Sequence, residues 1–367
     1  MAGSVFGTHF QVSTWGESHG KGIGVVVDGC PAGLPLSEEI IQRYLERRKP
    51  GQTRYSTPRK EADEVGILSG IFEGKTTGTP ISMVVYNTSQ QSKDYSEIAG
   101  YFRPGHADYT FDQKYGFRDY RGGGRSSGRE TVGRVAAGAV ACEVLKSLGV
   151  TVTAYTKEIG GISVDMAKTD IGDIFKSPLY MPDLEASEKA ELLLEQKIKE
   201  QDSVGGVIEC VVKGLPAGVG EPVFDKLDAS LAKAVMSIGA VKGFEIGDGF
   251  AAAKSFGSDN NDSFIIRQDG SVAKETNHAG GILGGISDGS DIILRAAVKP
   301  TPSIARTQRT VNRSGEEIEV NIRGRHDPII VPRAVVVVES MAALVIVDML
   351  FSSMASNMDA VRRFFGR

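Results

Sequence analysis

The stretch Arg121-Gly-Gly-Gly-Arg-Ser-Ser-Gly-Arg-Glu-Thr131 constrains this chain more than any other. Three consecutive glycines reach backbone conformations that other residues avoid, and they let main chain approach a ligand closely. Ser127 and Glu130 follow with the S-x-x-E spacing of a capping box. From Thr131 to Leu148 apolar residues recur at helical spacing, and Gly149 is placed as a C-terminal cap. The segment predicts a glycine-rich loop feeding a helix N-terminus, flanked by Arg121, Arg125 and Arg129. Open N–H groups, the helix dipole and guanidinium forks all favour an anion there. An ordinary loop before a capped core helix is the alternative, and the three arginines weigh against it.

The distribution of charge narrows the ligand. The net charge of −4 argues against a general nucleic-acid binder, yet arginines cluster between Arg43 and Arg59 and between Arg103 and Arg134. Basic patches on an acidic protein suit a small anion better than a polymer. Tyr101, Phe102, Tyr109 and Phe111 interleave with the second patch and keep a single-stranded RNA groove as a rival. Cys30, Cys142 and Cys210 are odd in number and form no C-x-x-C, which suggests neither a disulfide framework nor a zinc site. No metal-ligand spacing is present. The N-terminus lacks a basic-then-apolar signal. The apolar run Ala334 to Phe351 is interrupted by Glu339 and Asp348, so it reads as a buried or interface helix and not a membrane span. A cytoplasmic location is expected. Asn87-Thr-Ser and Asn312-Arg-Ser read as chance glycosylation sequons.

Periodicity sets out the elements. Strands are expected at Val5–Val12, Ile23–Val27, Val65–Phe72, Ile81–Tyr86, Val150–Thr156, Val207–Val212, Ser263–Arg267 and Asp291–Val298. Helices are expected from Ser37 to Arg47, Asp183 to Gln201, Phe224 to Met236, and along Val331 to Phe365. Asn87 to Asp119 reads as loop, Ile238 to Gly249 as a glycine-rich stretch, and Gly257 to Asp262 as a flexible, charged surface loop. No linker divides the chain. The best description is one α+β domain over residues 1–367 with antiparallel sheets.

Two motifs tempt and fail. Gly16-Glu-Ser-His-Gly20 satisfies the hydrolase elbow G-x-S-x-G, but a β-branched run follows where a helix is required. Ser69 to Thr76 nearly matches a phosphate-binding P-loop, but Ser69 replaces its first glycine. His19 and His106 are more informative. Each is boxed by turn residues and small polar groups, as suits a positioned proton donor.

Taken in order, Gly16–Gly20 through Cys30-Pro31, Arg103-Pro-Gly-His-Ala-Asp108, Arg125–Thr131, Lys299-Pro-Thr-Pro-Ser303 and Arg325-His-Asp327 closely resemble the chorismate synthase family, over nearly the whole chain. The resemblance implies a β-α-β sandwich, with helices between antiparallel sheets, assembled as a homotetramer. It implies 1,4-anti elimination of phosphate from 5-enolpyruvylshikimate 3-phosphate to give chorismate. That reaction needs reduced FMN (FMNH2) without net redox change, and NADPH serves some members as reductant. By motif position, Arg48, Arg54, Arg59, Arg103 and Arg129 correspond to substrate ligands. Arg125, Ser126, Ser127, Gly239, Ala240, Gly284, Lys299, Pro300, Thr301, Pro302, Ser303 and Arg325 correspond to flavin contacts. His106 would protonate the departing phosphate and His19 would protonate or balance the flavin. Asp327 would work with flavin N5 to remove the ring proton, and Ser18 and Ser127 would orient the histidines. Gly128 and His326 stand where the family commonly carries alanine and serine.

Overall fold

The structure of the chain, a computed structural model, describes residues 3–56, 61–87, 97–121, 123–322 and 327–366. Two five-stranded sheets enclose a layer of helices. In the first sheet the strands run in the order Val5–Phe6, Gln11–Gly16, Gly22–Asp28, Ile81–Tyr86, Val65–Ile67, each pair antiparallel. The second runs Val241–Ile246, Ile292–Val298, Gly206–Lys213, Thr151–Ile159, Ile162–Ser163, again antiparallel throughout. The helices are α1 (Glu38–Arg48), α2 (Asp108–Tyr115), α3 (Thr131–Ser147), α4 (Leu184–Lys199), α5 (Leu227–Met236), the single turn α6 (Gly257–Asn260), α7 (Val331–Ser353) and α8 (Met358–Phe364).

The middle layer is built by α3 and α7, which pack on each other. The first sheet lies against α3 and the second against α7. Both helices are apolar on nearly all sides, as a helix covered on two faces must be. Their close approach depends on Gly138, where an added Cβ would stand 2.6 Å from Ser340 Cα. Gly138→Val should therefore destabilise the fold by at least about 1–3 kcal/mol, the usual cost of overpacking. An unchanged urea midpoint would show that the helix pair separates freely.

Among the described residues, one helix, α7, is long and apolar enough to cross a membrane, and it is mostly buried inside the protein. Its buried Glu339 accepts two hydrogen bonds from Arg47, at 2.6 and 3.0 Å, and one from the Ala154 N–H at 3.1 Å. The helical stretch expected to run to Phe365 breaks after Ser353, because Asn357 caps a separate α8 by accepting from the Ala360 N–H. The interval read as loop contains α2, whose apolar residues do not line one face. The glycine-rich stretch after Ile238 contains the edge strand Val241–Ile246. Gly257–Asp262 is not a flexible loop. It forms α6, and the Asp262 carboxylate is buried, accepting from the His278 and Ala279 N–H groups, Thr276 and Lys274. Burial pushes that carboxyl up, but these donors outweigh it and hold it well below the usual range.

Candidate active site

The first turns of α3 and α7 open onto one cleft of about 1150 Å³, together with the loops around His19, His106, Gly239 and Thr301. A pocket for one small ligand usually falls between about 300 and 1,000 Å³, so this cleft has room for more than one. Among the described residues, eight cationic side chains line it against three carboxylates. Of the three arginines flanking the glycine-rich stretch, Arg125 and Arg129 line this cleft, whereas Arg121 pairs with Asp119 outside it.

Three short segments bring the cleft together. Gly16–Gly20 is the turn of a hairpin between Gln11–Gly16 and Gly22–Asp28, so no hydrolase elbow exists. It carries Ser18 and His19 into the cleft. The box Arg103–Asp108 closes on itself: Arg103 donates twice to Asp108, at 2.8 and 2.8 Å, and the Asp108 carboxylate also takes the Arg103 N–H at 3.0 Å. Gly105 lies against Pro302 so closely that a Cβ would stand 2.8 Å from the proline ring, at a φ of +70° that favours glycine. Lys299 Nζ donates to the Gly105 carbonyl at 2.7 Å, and His106 Nε2 lies 2.6 Å from Ser303 Oγ. Segments almost 200 residues apart in sequence thus fix one imidazole.

The glycine-rich stretch behaves differently in detail from the simple capping box. Two 3-10 turns, Gly124–Ser126 and Gly128–Glu130, precede α3. Ser127 Oγ accepts from the Arg129 N–H, and Glu130 pairs with Arg134 instead of reaching back to the cap. Arg125 ties this loop to the first sheet through Thr14 Oγ1 at 2.7 Å and the Gly16 carbonyl at 3.2 Å.

Behind the cleft lies a buried charge network. Arg48 pairs with Asp63 at 2.5 Å, and Arg129 takes the other oxygen of Asp63 at 2.8 Å and also pairs with Glu61. Arg333, in the first turn of α7, pairs with Asp327 at 2.5 Å and donates to the Arg48 carbonyl at 3.0 Å. Burial pushes the Asp63 carboxyl up, but Arg48 and Arg129 outweigh it and hold it below the ordinary carboxylate range. Asp108 is held low in the same way, Arg103 outweighing burial.

Most of the residues singled out by sequence line this cleft: Ser18, His19, Arg48, Arg103, His106, Arg125, Ser126, Ser127, Arg129, Gly239, Ala240, Lys299, Thr301, Pro302, Ser303 and Asp327. Pro300, between two of them, is not part of the lining. Arg54 is not there either. It is exposed, pairs with Glu191 and Glu195 on α4, and stacks over Tyr55. Gly284 sits in a separate two-strand turn away from the lining. Arg59, Arg325 and His326 lie outside the described residues. Sequence reasoning missed Glu61, Asp63, Asn87, Arg134, Lys242 and Arg333. Only Arg134 carried a local signal, its i,i+4 spacing from Glu130.

A family model described as chorismate synthase matches residues 10–351. The chain belongs to the chorismate synthase family. Chorismate synthase of Lachnoclostridium phytofermentans is 68% identical over 365 residues, covering 100% of both chains. That of the archaeon Methanococcoides burtonii is 56% identical over 359 residues, covering 96% of this chain and 97% of its own. A crystal structure of chorismate synthase superimposes with a TM-score of 0.76 at 31% identity, covering 98% of this chain and 97% of its own. Membership makes the chain a lyase of the shikimate pathway, acting on 5-enolpyruvylshikimate 3-phosphate to give chorismate and phosphate. The cationic excess of the cleft suits such a substrate, which carries a phosphate and two carboxylates.

Proposed function

We propose that the cleft holds reduced FMN beside 5-enolpyruvylshikimate 3-phosphate and performs the 1,4-anti elimination without net redox change, with NADPH as a source of reducing equivalents. The observation that carries this reading is a single cleft with room for two ligands, where, among the described residues, eight cationic side chains outnumber three carboxylates and stand beside two histidines. The lining fits a flavin. Gly239 faces open space, since a Cβ there would meet nothing within 4 Å. Thr301 Oγ1 is buried with no hydrogen-bond partner among the described residues, and is ready for a polar group of a ligand. Arg125, Ser126, Ser127, Ala240, Lys299, Pro302 and Ser303 complete the flavin side, and Arg48, Arg103 and Arg129 form the substrate side.

Reduced flavin held by these residues would supply the electron density that C–O cleavage needs, without net redox change. The chain does the rest. Its arginines bind and orient the anions, and His106, fixed by Ser303, donates a proton to the leaving phosphate. Asp327, aimed by Arg333, accepts the ring proton, and His19 balances charge on the flavin side. One proton is given and one is taken, so the products are chorismate and phosphate alone. The whole chain acts as one catalytic unit, in a cytoplasmic homotetramer.

Anaerobic assay tests the reading. Chorismate should form with dithionite-reduced FMN, with no reductant consumed per turnover. Absence of chorismate there overturns it, and reductant loss matching product would mark an ordinary flavin oxidoreductase. Chorismate with NADPH and FMN alone would show that the protein reduces its own flavin.

A further inference from the structure

Asn87 follows directly on the strand Ile81–Tyr86, and its surroundings use every polar atom of its side chain. Its Nδ2 donates to the Gly20 carbonyl at 2.8 Å and to the Glu17 carbonyl at 3.0 Å. Its Oδ1 accepts from Arg129 Nε at 2.6 Å. Its own backbone N–H donates to the Lys21 carbonyl at 3.0 Å. The amide admits one orientation only, because a carbonyl can receive only the NH2 edge and a guanidinium only the oxygen. One side chain therefore bridges two parts of the cleft. On one side is the hairpin turn that carries Ser18 and His19, and on the other is the guanidinium of Arg129.

We propose that Asn87 is a positioning residue that sets the His19 turn in register with Arg129. The inference rests on the roles given above to His19 and Arg129. Asn87 is not the turn's sole anchor, since Arg125 also reaches the Gly16 carbonyl at 3.2 Å, but Asn87 joins the turn to Arg129 itself. The other contacts of Arg129 are to Glu61 and Asp63, which lie on the side of Arg48 and not of the turn. Asn87 grips the turn at the two carbonyls that flank Ser18 and His19, those of Glu17 and Gly20. A misplacement of about 1 Å at a reacting group can cost on the order of 10²-fold in rate.

Asn87→Asp separates the two halves of the bridge. The carboxylate still pairs with Arg129 but repels the two carbonyls of the turn. Substrate KM should stay close to the parent value while kcat falls on the order of 10²-fold. Combined with His19→Ala, the variant should cost little beyond His19→Ala alone, because the turn then has no imidazole to place. A merely structural Asn87 would give losses that multiply. Asn87→Ser removes the contacts to the turn and to Arg129 without adding a charge, and keeps the test open if the carboxylate prevents folding. Normal kcat in both variants, or multiplying losses in the double variant, overturns the inference while leaving the reading of the cleft intact. A neutral His19→Ala overturns the role given to that histidine, and this inference with it.

Discussion

His106→Ala lowers turnover by about 10²–10⁴-fold, the usual contribution of a positioned general acid. The imidazole is held by Ser303 at 2.6 Å, and its turn is pinned by Lys299 to the Gly105 carbonyl at 2.7 Å. Removing the ring leaves the Lys299 contact to the Gly105 carbonyl in place, so flavin and substrate should still bind, and the loss should appear in kcat. Ser303→Ala should cost less, roughly 1 kcal/mol or ~5-fold, because it only frees the ring to rotate. Steady-state kinetics with reduced FMN decide the matter. Near-normal turnover of His106→Ala removes this residue from the mechanism and leaves the leaving phosphate without its proton donor.

Asp63→Asn costs about 3–5 kcal/mol of stability, as expected when one partner of a buried ion pair is taken away. Arg48 is fully enclosed, and burial pulls its guanidinium down from its ordinary value. Asp63 opposes that pull, while Arg333 and Arg129 add to it. Without the carboxylate, these three cations crowd one another. The effect on pH follows from the sign of the shift. The Asp63 carboxyl lies below its unfolded value, so its contribution is complete above about pH 4 and is lost as the pH falls through the folded value. Urea midpoints between pH 6 and pH 3 should fall steeply in the parent protein. They should start lower and fall less in Asp63→Asn. Equal slopes would place the acid sensitivity elsewhere, with Asp108 the next carboxylate to test.

The two predictions differ in how far their residues could be read from sequence. His106 stood out because Pro104 and Gly105 before it and Asp108 after it make a turn whose chemistry is local. Asp63 did not, because nothing in Glu61-Ala-Asp63 announces that two arginines, 15 and 66 residues away, converge on one carboxylate. Asn87 shows the same limit. Its tripeptide matches a sequon, while its bridging role exists only because the strand end lies beside the His19 turn. Helix α3 was legible almost to the residue, since its apolar spacing and flanking glycines are short-range signals. The strand Val241–Ile246 was hidden because Gly243 interrupts any alternation, and the strand is specified by its pairing with Ile292–Val298.

By itself, then, the sequence determined the class of the fold, the ordered boxes that mark the family, the two histidines and the basic character of the site. Each of these is encoded within a few residues, as hydrophobic period, turn chemistry or charge type. The tertiary structure decided which cations face one another across the cleft, which carboxylates neutralise them, and which hydroxyl holds which ring. Ser127 went to the Arg129 N–H, and Ser303, far along the chain, took His106. Such pairings turn on distances of a few ångströms between segments brought together by the packing of α3 and α7, and no local pattern carries that information.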